Sequence, residues 1–103
     1  MYLVTWKFEV MEGKNRQDLL DVFTASSAEE QSAPGLLRKY CCLGSDLKSA
    51  VEVYVWRSKH DADAYFDWKW DSATSRRWES ALMTRQDFEV PLVVEGGKAQ
   101  APA

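Results

Sequence analysis

The side chains suited to chemistry concentrate in residues 51–78, which read VEVYVWRSKHDADAYFDWKWDSATSRRW. Seven aromatic rings lie there, and the same tract holds the chain's one histidine. Stacked aromatic pairs contribute roughly 0.5–1.5 kcal/mol beyond the burial of their area, so a ring-walled slot is an effective binding device for a planar molecule. The tract therefore forms a core wall, a ligand pocket or a partner surface.

Two polar residues are candidates for acid–base or electrostatic roles. His60 comes two residues after Ser58, a good helix N-cap, and the positive end of a helix favours the neutral, proton-accepting imidazole. It is either a solvent-exposed residue or a general base at a pocket mouth. Arg38 shares strand parity with Tyr40 and is either an ion-pair residue or a stabiliser of an oxyanion.

The helical wheel of residues 59–70 divides the tryptophans. Ala62, Tyr65, Phe66 and Lys69 fall together, with Trp70 on one flank of this face and Trp68 on the other. Either one tryptophan is core and the other lies at a rim, or the rings bound a flat slot for a substrate. The substrate-binding candidates along the chain are Trp6, Tyr40, Trp56, Tyr65, Trp70 and Trp78.

Charge and hydropathy exclude several classes of partner. The 103 residues carry a net charge of −3 with both signs interspersed, so nucleic acid is not an expected partner. No apolar run approaches the roughly 20 residues of a membrane span, so no membrane partner is expected either. The N-terminus lacks a signal-peptide pattern, and the adjacent Cys41 and Cys42 are expected to be free thiols, which favours a cytoplasmic location.

Motifs for a resident metal or cofactor are not found in the sequence. One histidine and a CC pair do not make a metal-ligand pattern. The only adjacent glycines, Gly96 and Gly97, fall in the tail, so a phosphate-binding loop for a flavin or a nicotinamide is not predicted. We therefore expect neither a metal nor a cofactor.

Periodicity places these residues on secondary-structure elements. Alternation predicts strands at residues 2–10, 36–43, 49–57 and 86–94, the last one irregular at Pro91. A helix capped by Asn15 is predicted over 16–32, a second one over 59–70, and a further segment that starts at Asp71 or Ser72 and reaches Met83. Residues 1–95 form one domain, and 96–103 are expected to be a disordered tail.

The order β-α-β-β-α-(α)-β predicts an α+β, ferredoxin-like fold with an antiparallel four-stranded sheet. In the third strand Val51, Val53 and Val55 share one face, while Glu52, Tyr54 and Trp56 share the other. Parity leaves open which face meets the helices. The face without helices still carries apolar residues, so we expect a homodimer whose sheets meet face to face.

Several segments together resemble a known family. They are LVTWKFEV near the start, Ala33-Pro34-Gly35-Leu36 with the following LRKY, YVWRS before Ala62-Asp63-Ala64-Tyr65, and the closing FEVPL. The chain resembles the dimeric α+β barrel superfamily and, more closely, the YdhR-like family of proposed monooxygenases. The resemblance implies a homodimer, no metal, and a pocket between sheet and helices. Relatives include cofactor-independent monooxygenases, haem-degrading enzymes, and cyclases or isomerases.

The resemblance also places two tryptophans at pocket positions of the haem-degrading relatives. Trp68 falls where the haem-degrading relatives have a pocket tryptophan, and Trp78 stands where they have the histidine that ligates haem iron. An indole nitrogen only donates a hydrogen bond and cannot ligate iron, so haem degradation is not expected.

We expect a cofactor-independent monooxygenase acting on a small planar hydrophobic molecule of phenolic, quinone or polyketide-like type. His60, Trp68 and Arg38 are the catalytic candidates. One alternative is a polyketide-type cyclase or isomerase with His60 as its base. The other is a non-catalytic small-ligand-binding or stress-associated dimer in which the rings only pack.

Overall fold

A computed structural model describes residues 1–79 and 82–97 and the backbone of 101–102. Ten elements follow one another within those residues: β1 Tyr2–Glu9, α1 Arg16–Thr24, α2 Ser27–Gln31, β2 Leu36–Leu43, β3 Ser49–Trp56, α3 Lys59–Tyr65, α4 Trp68–Trp78, β4 Met83–Glu89, β5 Leu92–Val93 and β6 Ala101–Pro102. No helix among these described residues is long and apolar enough to cross a membrane.

The main sheet has the strand order β2-β3-β1-β4, and every pairing in it is antiparallel. This is the ferredoxin-like α+β fold that the sequence predicts. Strand β1 lies between β3 and β4, so β2 and β4 form the two edges. The register places Trp6 opposite Glu52 and Lys39 opposite Tyr54, which brings one basic, one acidic and two aromatic side chains onto the same face.

The helices cover the face that carries Val4, Trp6 and Phe8 from β1 together with the even-numbered residues of β3. Tyr54 and Trp56 are 1% and 0% exposed there. The valines of β3 point the other way and are only half-buried. The tertiary structure thus decides the question that strand parity leaves open.

The helices differ from the prediction in where they divide, begin and end. The helix predicted over 59–70 ends at Tyr65, and the segment predicted to reach Met83 ends at Trp78. The predicted helix over 16–32 is divided into α1 and α2, and Ser26 precedes the second piece. The cap of the fourth helix is Asp67, whose carboxylate accepts the amide of Trp70 at 2.9 Å, so the prediction of Asp71 or Ser72 is wrong. The caps at Asn15 and Ser58 are confirmed, each accepting the amide three residues later.

The C-terminal segment turns away from the sheet at the predicted irregular point. Strand β4 ends at Glu89, before Pro91, and begins at Met83 rather than at residue 86. Leu92–Val93 pairs instead with the backbone of Ala101–Pro102. Residues 98–100 and 103 of the expected disordered tail lie outside the described residues, so disorder there stays a prediction.

Gly35 sets the turn into β2. Its φ of +81° is a left-handed conformation that favours glycine, and a Cβ atom there would lie 2.2 Å from Oδ2 of Asp61. Its carbonyl accepts the amide of Arg57 at 2.8 Å, which joins the start of β2 to the end of β3.

Candidate functional site

A cleft of about 390 Å³ opens between α2 and the pair α3–α4. We call it the interhelical cleft. Its walls combine aromatic rings, hydroxyl groups and charges of both signs, and its lining residues are Ser26, Glu29, Ala64, Tyr65, Asp67, Lys69, Trp70, Ala73, Thr74 and Arg77. A cleft of this size is within the range of small-molecule sites.

Two rings of this lining belong to a larger aromatic layer packed against the sheet. Trp70 lies 4.6 Å from Trp6 and 4.7 Å from Phe66 between ring centroids, while Tyr65 lies 5.3 Å from Trp56. The aromatic layer comprises Trp6, Tyr54, Trp56, Tyr65, Phe66 and Trp70. Tyr65 and Trp70 therefore pack on the aromatic layer with one side and line the cleft with the other.

Thr74 lines the cleft and carries a buried polar atom without a partner in the described part of the chain. The residue is 2% exposed, and its Oγ1 has no hydrogen-bond partner among the described residues. An unsatisfied buried hydroxyl costs about 1–3 kcal/mol. A ligand oxygen in the cleft is the kind of partner that would satisfy it.

A buried charge network lies between the cleft and the sheet. The ammonium of Lys39 is 2.5 Å from Oε2 of Glu30 and 3.0 Å from Oε2 of Glu52. The Tyr54 hydroxyl donates to Oε1 of Glu52 at 2.9 Å, and the Ser26 hydroxyl donates to Oε1 of Glu30. These five residues are the buried charge network, and its two carboxylates and one ammonium give a net charge of −1.

Burial dominates the electrostatics of this network. Burial raises the pKa of Glu52, and the nearby Lys39 ammonium and the hydrogen bond from Tyr54 oppose that rise. The pKa of Tyr54 is raised far above its ordinary value by burial and then by the charge of Glu52. Tyr54 therefore acts as a neutral donor, whereas Glu52 is a carboxylate whose charge depends on Lys39.

The three predicted catalytic residues are dispersed over the molecule. Arg38 is exposed, and its Nη1 donates to the Tyr40 hydroxyl at 3.0 Å. His60 is exposed in the first turn of α3, and Trp68 is 72% exposed at the start of α4. The three residues lie on three different elements, and none of them lines the interhelical cleft.

The predicted binding residues divide into three groups. Tyr65 and Trp70 line the cleft, while Trp6 and Trp56 lie beneath it in the aromatic layer. Tyr40 is half-exposed on the open sheet face, opposite Val53, and so lies away from the cleft. Trp78 is a core residue, stacked on Phe8 at 4.7 Å, because α4 turns it toward α1 and β1.

Sequence reasoning missed the polar half of the site. Glu30 lies in the predicted helix over 16–32 and was not singled out, yet it is 4% exposed and pairs with Lys39 on β2. Thr74 and Ser26 gave no signal. Glu52 did give one, since a carboxylate that shares strand parity with Tyr54 and Trp56 must be either solvated with them or buried with a partner.

No family model matches the chain, and no curated protein matches it. Solved structures do match over most of its length. One is a substituted form of SnoaB, a cofactor-independent oxygenase from Streptomyces nogalater: TM-score 0.66, 17% identity, 85% of this chain and 90% of that one covered. Another is the ActVA-Orf6 monooxygenase from Streptomyces coelicolor in complex with Nanaomycin D. Its TM-score is 0.65 at 13% identity, and the match covers 84% of each chain.

A third similar structure is a single-residue variant of MhuD with two manganese protoporphyrin IX molecules bound per active site. Its TM-score is 0.72 at 21% identity, and the match covers 93% of this chain and 100% of that one. At these identities the comparisons establish the fold. The chain shares the ferredoxin-like α+β fold of these structures, which is the fold class that the sequence predicts.

The residues of this chain do not fit a haem. Trp78, at the position that the resemblance assigns to the iron ligand, is 4% exposed and packed between Phe8 and Phe23. His60 is exposed on α3 and lies outside the cleft. Among the described residues, no group of three or more His, Cys, Asp or Glu side chains is arranged to hold a metal ion.

Proposed function

We propose that the protein is a cofactor-independent monooxygenase that acts on a planar phenolic, quinone or polyketide-like substrate bound in the interhelical cleft. The observation that carries the proposal is the combination of the ordered rings of Tyr65 and Trp70 with the unpartnered hydroxyl of Thr74 in one cleft. The likeness in fold to a cofactor-independent oxygenase and to a monooxygenase supports it.

The chemistry required of such a site is modest. A phenolate or enolate of the substrate reacts with O₂ directly, so that one oxygen atom enters the substrate and the other leaves as water, with all electrons supplied by the substrate. The protein must hold the planar molecule, accept its proton and limit water access. The rings of Tyr65 and Trp70 bind the plane, and a substrate anion in contact with Lys69 or Arg77, rather than with the lining carboxylates Glu29 and Asp67, is stabilised.

The open sheet face supports the homodimer proposal. Val51, Val53 and Val55 are half-buried on it, and Tyr40 and Phe88 are 48% and 47% exposed. A second copy placed face to face would cover these residues. Closer membership in the YdhR-like family and a cytoplasmic location belong to the same proposal. The cyclase alternative gains no support, because its base, His60, is outside the cleft.

Oxygen uptake tests the proposal. The protein, freed of metals and given no flavin, nicotinamide or haem, is incubated with an anthrone in air-saturated buffer while an oxygen electrode follows consumption. We expect protein-dependent, saturable uptake together with conversion of the anthrone to the quinone. Saturable quenching of tryptophan fluorescence without uptake would indicate the non-catalytic ligand-binding alternative. Absence of both would overturn the proposed site.

Thr74→Val localises the reaction to the cleft. The change removes an unsatisfied buried hydroxyl and keeps the shape, so the free protein should keep or gain stability. Loss of one hydrogen bond to the substrate should weaken apparent affinity by roughly three- to tenfold. The matched control is Thr24→Val on α1, an exposed residue outside this cleft, which should leave affinity unchanged. Equal affinities for all three proteins would place the substrate elsewhere.

A further inference from the structure

Glu30 connects two cavities that do not share a lining residue. On one side, its Oε1 accepts the hydroxyl of Ser26, which lines the interhelical cleft. On the other side, Glu30 itself lines a second cavity of about 390 Å³ beside strand β2, together with Lys39. We call this second opening the edge cavity. Glu30 is 4% exposed, so it is a buried carboxylate with a polar contact toward each side.

Glu30 is surrounded by titratable groups from three elements. It faces Lys39 and Cys41 from β2, Glu52 and Tyr54 from β3, and Tyr65 from α3. Burial raises the pKa of Cys41, Tyr54 and Tyr65, so these three are neutral near neutral pH. Lys39 is therefore the cation that both carboxylates share. Lys39 balances the charge of only one of the two carboxylates that it contacts.

We propose that Glu30 takes the phenolic proton of a molecule bound in the interhelical cleft, through the Ser26 hydroxyl, and releases it to water in the edge cavity. The inference rests on the proposed function, because its proton donor is the phenolic substrate proposed there. It adds an acceptor and an exit path on the side of the network that faces away from the substrate.

The transfer moves one proton from the phenol to Glu30 and changes no oxidation state. The phenol O–H bond breaks and its electron pair stays on the phenol oxygen, while the proton binds Ser26 Oγ. The proton already on Ser26 moves to Oε1 of Glu30, along the hydrogen bond present in the structure. The products are a phenolate in the cleft and a neutral carboxylic acid at Glu30. The acid keeps this proton while the phenolate is bound and loses it to water in the edge cavity once the phenolate has reacted or left, which returns the network to its initial charge.

The ionisation of a bound phenol tests this path without any need for turnover. The probe is 4-nitrophenol, whose phenol and phenolate forms absorb at different wavelengths, used at a pH where the free probe is mostly neutral. In the unsubstituted protein we expect the ionisation constant of the bound probe to rise about tenfold, a shift of about one pKa unit. An infrared difference spectrum should show a protonated carboxyl band that appears when the probe binds.

Two variants interrupt the path at different points. Glu30→Gln removes the acceptor and leaves Lys39 paired with Glu52, and Ser26→Ala removes the relay while keeping every charge. Each should return the bound probe to the ionisation of the free probe, and Glu30→Gln should lack the infrared band. Ser32→Ala is the matched control, since its hydroxyl donates to the Glu29 carbonyl outside the network. It should behave as the unsubstituted protein does.

The outcomes separate this inference from the function beneath it. If the probe binds but its ionisation is unchanged in the unsubstituted protein, or if Ser26→Ala keeps the full effect, the proton path is wrong even where the anthrone still drives oxygen uptake. If Glu30→Gln fails to fold, the proton path is judged from the probe ionisation in Ser26→Ala and from the infrared band of the unsubstituted protein. If the probe does not bind saturably, the cleft fails as a phenol site and the path fails with it.

Discussion

The aromatic layer and the buried charge network lie side by side under the helices and share Tyr54, but different forces hold them. The aromatic layer gains from apolar area removed from water, which is non-directional and tolerates small shifts. The charge network gains little from burial itself and depends on each charge having its partner in place. We therefore assign the two regions different roles. The rings determine the shape of the cleft, and the network accepts and releases the substrate proton in the path proposed above.

The largest expected effect is in the aromatic layer. Trp56→Ala removes a side chain that is 0% exposed and that contacts Tyr54, Tyr65 and Phe66. We expect a loss of about 3–5 kcal/mol in the free energy of unfolding, measured by urea denaturation. Trp68→Ala is the matched control, because that ring is 72% exposed, and it should change stability by about 0.5 kcal/mol or less. Similar losses for both would mean that the layer is not the core.

The second prediction concerns the cation of the buried charge network, Lys39. Lys39→Met leaves two carboxylates buried without a cation, each keeping only its hydroxyl donor, and we expect a loss of about 3 kcal/mol in the free energy of unfolding at neutral pH. The triple variant Glu30→Gln, Lys39→Met, Glu52→Gln should recover most of it, since it buries no unpaired charge. If the triple variant is as unstable as Lys39→Met, packing rather than charge explains the loss.

The loss of unfolding free energy in Lys39→Met should depend on pH in a direction that the pKa of Glu52 determines. Burial already raises the pKa of Glu52, and removal of the opposing ammonium raises it further. A carboxyl whose pKa is higher in the folded state binds a proton more tightly when folded, so folding is favoured below the unfolded-state pKa and disfavoured as pH rises through the folded one. The deficit of Lys39→Met should therefore shrink in mildly acidic buffer. A deficit that grows on acidification would contradict this assignment.

The smallest expected effect falls on the residue that both regions share. Tyr54→Phe keeps the ring contacts of the aromatic layer and removes the hydroxyl that Glu52 accepts. Loss of a hydrogen bond to a charged group predicts about 1.5 kcal/mol of destabilisation, with the tryptophan fluorescence of the folded state little changed. A change in that fluorescence comparable to the one from Trp56→Ala would show that the two regions cannot be separated at Tyr54.

Much of the fold could be predicted from local signals. The alternation in β1 and β3 and the caps at Asn15 and Ser58 identify elements directly, because they depend on residues close in sequence. The division of the first helix at Ser26 and the cap at Asp67 were not predicted, since packing against the sheet decides where a helix bends. The candidate site was predicted in part: Tyr65 and Trp70 line the cleft, whereas Trp68 is exposed and Trp78 is in the core.

The sequence by itself determined the order of elements, the antiparallel sheet and the concentration of rings in residues 51–78, because periodicity and capping are encoded within a few residues. Only the tertiary structure decided that Glu52, Tyr54 and Trp56, rather than the three valines of β3, face the helices. The reason is that the Lys39 ammonium on β2 pairs with Glu52 on β3 and at the same time with Glu30 on α2, so the burial of Glu52 depends on three separate elements. Such a pairing depends on the folded arrangement of the chain, and strand parity alone carries no sign of it.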